Sequence, residues 1–283
     1  MRALAYAKVN LSLHIESGDG WRHPVSGLFQ SIGWADRLTL ERAEQDVIAG
    51  PEGRPVIAGE DNLAWRAAVA VRGLAEAKAA MALTLDKEIP VAAGLGGGSA
   101  DAAAALALAG RLCGVGPEAQ ATLATTLGSD VPFCLAGGLA HVGGTGEVVE
   151  PLEPAGGYAL ALVVPPVAVL TAAVYSAWDR LGGPTGPPTG GNDLPPALRA
   201  LGPLRNDLYP AAAAVAPEVD EWRAEMVSRW GRAVMLTGSG PTLFAFFVDE
   251  AEAIAALDAA PVGARALHAT GPVGRGWELV AEE

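Results

Sequence analysis

The chain has 283 residues, 51% of them hydrophobic, with 32 acidic against 19 basic side chains and a formal net charge of −13. Such a balance repels nucleic-acid polyanions, but it leaves small anionic ligands open, because backbone N–H groups at a helix start bind phosphate without a lysine excess. Gly and Pro are frequent (36 and 21) yet scattered among apolar runs, so the chain reads as a globular protein with many turns, long enough for two domains that share a cleft.

Taken in chain order, Ala5 to Ile15 alternates as a half-buried strand, with Val9, Leu11, Leu13 and Ile15 on one face and Lys8, Asn10, Ser12 and His14 on the other. Gly18-Asp19-Gly20 reads as a turn, Ser31 to Glu41 as a second alternating strand, and Gly50 to Pro55 as a Gly/Pro turn. Asp61 or Asn62 caps an Ala-rich helix over Leu63 to Ala77, followed by a short strand over Met81 to Leu85. After a glycine-rich run, a helix spans Ser99 to Cys113 and closes at Gly114, and another covers Pro117 to Leu127. A turn at Gly128-Ser129-Asp130 leads into a glycine-punctuated strand region that reaches Val149.

Pro151 to Gly157 has the composition of a connection, which divides the chain into domains of 1–154 and 155–283. Beyond it, Tyr158 to Val164 reads as an interior strand and Gly182 to Pro196 as a mobile surface loop. Helices follow near Pro210 to Ala214 and Pro217 to Trp230, strands at Ala233 to Leu236 and Leu243 to Val248, then one more helix and a last strand. Strands and helices alternate without a strict βαβ rhythm, so the expected class is α+β.

Cys113 and Cys134 form no disulfide framework, metal spacing or redox pair and are expected to be reduced, buried thiols. Lys8 and Asn10 interrupt the stretch where a secretory leader would be apolar, and no run approaches the ~18 apolar residues of a membrane span. The expectation is a cytoplasmic protein with no membrane partner. With no heptad or long apolar stripe to mark an interface, both a monomer and a homodimer stand.

The run Pro90-Val91-Ala92-Ala93-Gly94-Leu95-Gly96-Gly97-Gly98-Ser99-Ala100, between a strand and a long helix, is a physical recipe for phosphate binding. Glycines let the backbone approach an anion, the helix start offers unpaired N–H groups and the positive end of its dipole, and Ser99 adds a hydroxyl. It is neither a Walker A loop, lacking Gly-Lys-Ser/Thr, nor a G-x-G-x-x-G fingerprint.

This run resembles the ATP-binding motif of the GHMP kinase superfamily, and its Gly-Leu-Gly-Gly-Gly-Ser-Ala-Asp portion is most similar to that of the 4-diphosphocytidyl-2-C-methyl-D-erythritol kinases. Three further segments resemble the same family in order: Ala7-Lys8-Val9-Asn10-Leu11, Gly128-Ser129-Asp130-Val131-Pro132-Phe133 and Leu236-Thr237-Gly238-Ser239-Gly240-Pro241-Thr242. The resemblance implies a two-domain α+β fold with the active site in the inter-domain cleft, and a small-molecule kinase that uses ATP and Mg2+. It implies Asp130 as the carboxylate that orients or deprotonates the attacking hydroxyl, with Lys8 beside it. It further implies that Asn10, His23, Thr171 and Tyr175 bind substrate, and that the 90–100 run holds the nucleotide.

The family's Asp-Gly-Tyr-His segment is replaced here by Asp19-Gly20-Trp21-Arg22-His23, so His23 is the expected cytosine contact while Trp21 and Tyr175 both stand as the stacking ring. Gly238-Ser239-Gly240 takes a supporting role, and Asn62 and Lys87 fall where the family forms its adenine pocket. How the metal is held is left open, since no acidic pair has ligand spacing. Two other readings stay beside this one: a GHMP kinase acting on homoserine or a mevalonate-type alcohol, and a nucleotide-binding sensor without catalysis.

Overall fold

The computed structural model describes residues 1–16, 23–52, 54, 56–57 and 59–281. The turn expected at 18–20 and the candidate ring Trp21 therefore lie outside the described residues.

The first strand, β1 (Arg2–Ile15), pairs antiparallel with the long β2 (Val25–Ala43). The far half of β2 takes β4 (Ala80–Asp86) as its other neighbour, with β3 (Val47–Ala49) at the edge. Its near half takes β5 (Leu139–Gly143), which carries β6 (Val148–Pro151). The last strand, β11 (Trp277–Val280), returns to the free side of β1, completing seven strands among the described residues. The expected final strand is thus two strands, β10 (Ala266–Thr270) and β11, that belong to different sheets.

Helices α2 (Gly97–Cys113) and α4 (Val131–Ala136) pack on this sheet, and α1 (Leu63–Leu74) and α3 (Pro117–Leu127) pack on α2. Every residue from Ala100 to Gly110 of α2 is buried, and its run of alanines is what lets a helix lie centrally between α1 and the sheet. Alanine also carries the highest helix propensity and loses no side-chain entropy there. Asn62 caps α1, accepting from the N–H groups of Ala64 and Trp65.

The second sheet runs β10–β7–β9–β8, with β7 (Ala159–Val164) buried at every residue, β8 (Met235–Leu236) and β9 (Leu243–Phe247). Helix α8 (Glu250–Leu257) packs on it, Trp230 of α7 (Glu218–Trp230) meets Phe247 of β9 edge-on, and α6 (Tyr209–Val215) packs between α7 and α5 (Thr171–Arg180). Trp34 of β2 stacks on His268 of β10 at 4.3 Å between centroids, joining the two halves. The segment 182–196, expected to be mobile, is tethered: Leu194 is buried, Thr189 exchanges backbone hydrogen bonds with Leu204, and Gly186 lies too close to the Asn206 backbone to tolerate a Cβ. Both cysteines are free, Cys134 buried and Cys113 partly so. Among the described residues no helix is long and apolar enough to cross a membrane.

A buried ionic cluster anchors the segment that leads into the glycine run. Asp36 of β2, wholly buried, accepts from the N–H groups of Glu88 (2.6 Å) and Ile89 (2.8 Å) and pairs with Lys87. Lys87 Nζ also donates to Asp101 of α2 at 2.6 Å, and Asp101 Oδ1 is buried without a hydrogen-bond partner. Burial, with Asp36 nearby, outweighs the attraction of Lys87 and pushes the Asp101 carboxyl from its ordinary 3.8 up to about 8. The folded protein then holds a proton that the unfolded chain has released, so this group weakens the fold as pH rises between about 4 and 8. Asp101→Asn keeps the shape and removes the titration. In thermal melts its stability relative to the parent should grow as pH rises through that window, and a difference independent of pH would disprove the assignment.

Candidate active site

Two irregularities in the β1–β2 ladder, between Tyr6 and Lys8 and between Asn10 and Ser12, bracket the segment Lys8–Val9–Asn10. Bulges of this kind re-aim side chains and increase local twist. Contrary to the half-buried pattern, both faces of the segment are covered, and Lys8, Asn10 and Ser12 are all buried. The Lys8 side chain is only 5% exposed. Its Nζ donates to Asn10 Oδ1 at 2.7 Å, lies 3.2 Å from Asp130 Oδ2, and sits 5.3 Å from the centre of the Phe29 ring.

Asn10 is itself clamped. Its N–H donates to Thr237 Oγ1 at 2.9 Å, and that hydroxyl donates back to Asn10 Oδ1 at 3.2 Å. With Oδ1 taken by two donors, the NH2 half of the amide is the part left for a ligand. Asp130 stands at the cap position of α4 but makes no side-chain capping bond, which leaves its carboxylate to Lys8 and the cavity. Behind it, Gly146 (φ 114°) packs so tightly on Ser129 that a Cβ would sit 2.2 Å from the Ser129 carbonyl oxygen.

The glycine run wraps the lysine. Lys8 N–H donates to Leu95 O at 2.9 Å, and a Cβ on Gly96 (φ 68°) would lie 2.9 Å from Lys8 Cγ. A Cβ on Gly94 (φ 78°) would meet the carbonyl oxygens of Thr237 and Gly240 at 2.8 Å. Thr242 Oγ1 donates to Ala93 O at 2.6 Å, so the loop after β8 holds the run from behind. Helix α2 begins at Gly97 with no side-chain cap, leaving its first N–H groups and the positive end of its dipole for an anion.

Lys8, Asn10, His23, Gly94, Gly96, Ser99, Asp130, Thr171 and Tyr175 line one cavity of about 690 Å³. Pro90 to Ser99, with Asn62 and Lys87, line a second of about 420 Å³, and the two share Gly94, Gly96 and Ser99. Ala100, at the end of the expected run, lines neither and is fully buried in α2. Thr171 Oγ1 is within hydrogen-bond distance of Ser239 Oγ at 2.9 Å, which ties the start of α5 to the 238–240 loop. The Tyr175 ring stacks on His23 at 5.7 Å with 10° between planes, and burial, helped by the Asp130 charge, pushes its hydroxyl up to about 12.

Asn62 is committed to structure: beyond its capping bonds, its Nδ2 donates to Ile57 O. Lys87 is likewise held by Asp36 and Asp101. Residues that sequence reasoning passed over include Thr237, inside a motif it had quoted, and Phe29 beneath Lys8. Asp179 was also missed, although it lies four residues, one helical turn, after Tyr175. Among the described residues no group of three or more His, Cys, Asp or Glu side chains gathers to hold a metal.

Family models for the GHMP kinase N-terminal and C-terminal domains match residues 62–138 and 194–261. The chain is 39% identical to the 4-diphosphocytidyl-2-C-methyl-D-erythritol kinase of Moorella thermoacetica, over 87% of this chain and 89% of that one. It is 40% identical to the enzyme of the same name from Cereibacter sphaeroides, over 91% and 93%. A crystal structure of 4-(cytidine 5'-diphospho)-2C-methyl-D-erythritol kinase superposes with a TM-score of 0.75 at 32% identity, covering 97% of this chain and all of that one. The homoserine kinase of Cytophaga hutchinsonii shares the fold (TM-score 0.70) at 16% identity. With this identity, sustained over nearly the whole length, the chain belongs to the GHMP kinases and, among them, to the 4-diphosphocytidyl-2-C-methyl-D-erythritol kinase family.

Proposed function

We propose that the protein transfers the γ-phosphoryl group of ATP to the 2-hydroxyl of 4-diphosphocytidyl-2-C-methyl-D-erythritol, giving the 2-phosphate and ADP. This is a step of the non-mevalonate route to isoprenoid precursors, carried out in the cytoplasm where its nucleotide substrates are. The observation that carries the reading is the Lys8–Asp130 contact in the larger cavity, with Lys8 packed against Gly96, a residue that lines both cavities.

The smaller cavity suits ATP. Val56, Ile57, Leu63 and Leu85 offer an apolar wall to the adenine, which shape and backbone groups would hold, since the Asn62 amide is engaged elsewhere. The triphosphate would lie along Gly94 to Ser99 and the uncapped start of α2, in a loop whose path a Cβ at Gly94 or Gly96 would disturb by striking the Thr237 and Gly240 carbonyls or the Lys8 stem. A bound Mg2+ supplies positive charge to the phosphate oxygens, with Ser99 as the hydroxyl at hand.

The larger cavity suits the cytidylyl substrate. Asp130 accepts the proton of the attacking hydroxyl, and Lys8, at 3.2 Å from that carboxylate, lowers the energy of negative charge on the transferring group. Asn10 presents its NH2 to the same region. At the other end Tyr175 and His23 form a joint aromatic wall. Their 5.7 Å separation is below the ~7 Å that a ring sandwiched at two contact distances of about 3.5 Å requires, so the base rests against the pair rather than between its members.

Coupled detection of ADP tests this. Turnover should require the cytidylyl substrate, and homoserine and mevalonate should give none; the reverse pattern would replace the substrate assignment. Asp130→Asn should lower kcat by roughly 10²–10⁴-fold with an unchanged circular dichroism spectrum, whereas activity near the parent's would hand the proton to another group. Gly96→Val, forced onto Lys8 and into a left-handed backbone, should cut kcat/KM for ATP by more than about ten-fold. Parent-like kinetics there would show that the loop does not hold the nucleotide.

A further inference from the structure

Three side chains on one face of α5 converge on His23. Tyr175, Trp178 and Asp179 occupy positions i, i+3 and i+4, the spacing that aligns helix neighbours. Tyr175 stacks on the imidazole, and Trp178 meets it edge-on at 5.2 Å and 68°. Both Asp179 carboxylate oxygens lie 3.2 Å from His23 Nε2. The socket is itself fixed, since Trp178 Nε1 donates to Pro184 O at 2.9 Å and Gly183 leaves only 3.2 Å between a would-be Cβ and the indole. The His23 side chain is 6% exposed, and its Nδ1 is buried without a hydrogen-bond partner.

We infer that Asp179 is a specificity-determining positioning residue, which sets the tautomer of His23 and thereby makes the substrate site select a base that carries an amino group. A carboxylate only accepts, so the nitrogen facing it carries the hydrogen. In the neutral ring, Nδ1 is then a bare acceptor, and a buried acceptor without a partner is costly until a donor arrives. The exocyclic amino group of cytosine is such a donor; uracil presents a carbonyl at the same position, which would face the Nδ1 lone pair with no hydrogen between them. Asp179 acts here through His23 and does not touch the base. The inference rests on the proposed role of His23 at the cytidine end.

The experiment compares Asp179→Asn, Asp179→Ala and Asp179→Lys with the parent, using the cytidylyl substrate and its uridylyl counterpart. Asp179→Ala should raise KM for the cytidylyl substrate by about ten-fold, leave kcat and the KM for ATP within about two-fold, and shrink the preference for cytosine over uracil. Asn, whose carbonyl oxygen still accepts from Nε2–H, should recover most of the loss. Lys donates instead, forces the hydrogen onto Nδ1, and should be worse than Ala. Nitrogen-15 spectra of the imidazoles, with the His23 signal assigned from His23→Gln, should show hydrogen on Nε2 in the parent and a redistribution in the Ala and Lys variants. An unchanged KM ratio between the two bases in Asp179→Ala, or hydrogen on Nδ1 in the parent, overturns the inference while the kinase reading survives. No turnover of the cytidylyl substrate by the parent overturns the reading on which it rests.

Discussion

The site depends on keeping a lysine ammonium charged where almost no water reaches it. An isolated buried cation is strongly unfavourable, and it persists when hydrogen-bonded and paired. Lys8 meets both conditions through Asn10 and Asp130, over the face of Phe29. Each partner has requirements of its own. Asn10 is oriented by Thr237 from the second half of the chain, Asp130 is spared from capping α4, and Gly96 lacks the Cβ that would displace the lysine stem. The halves of the molecule are therefore joined at the Lys8 cluster itself, by polar contacts that are correct only when both halves are folded.

A second ionic group sits at the wall of the smaller cavity. Asp36, Lys87 and Asp101 connect β2, the segment before the glycine run, and α2. Two carboxylates on one buried lysine are costly to keep charged together, and the burden falls on Asp101, whose carboxyl burial pushes up. The glycine run is thus anchored at its entry by this cluster and from behind by Thr242, while its middle is left free of side chains. Rigidity at the ends and bareness in the centre is what a loop needs to mould backbone N–H groups around a phosphate.

Much of this was legible in the sequence. Helix α3 falls where Pro117 and Leu127 place it, α2 ends at Gly114 as its left-handed C-cap demands, and the interior strand β7 follows from an unbroken apolar run. What escaped reading was non-local. Nothing in the alternation of β1 tells that its polar face is covered by a loop 87 residues on from Lys8 and a threonine 227 residues away from Asn10. Composition marked 182–196 as loose, yet Leu194 and the Thr189–Leu204 pairing pin it, because backbone pairing to distant residues leaves no local signature. Of the two caps that the sequence offered, Asp61 and Asn62, it is Asn62 that caps α1, and its capping and its bond to Ile57 O occupy its amide.

The return of β11 to the side of β1 bears on how the molecule is made. The strand that carries Lys8 and Asn10 has β2 on one side early in synthesis, but its other edge stays open until residues 277–280 emerge. Thr237, which clamps Asn10, also comes late. During translation the sheet that carries Lys8 and Asn10 is an incomplete template with an unpaired edge, the state in which chains most readily pair with the wrong neighbour. The glycine run is thus synthesised well before the strand and the threonine that complete the surroundings of Lys8 and Asn10.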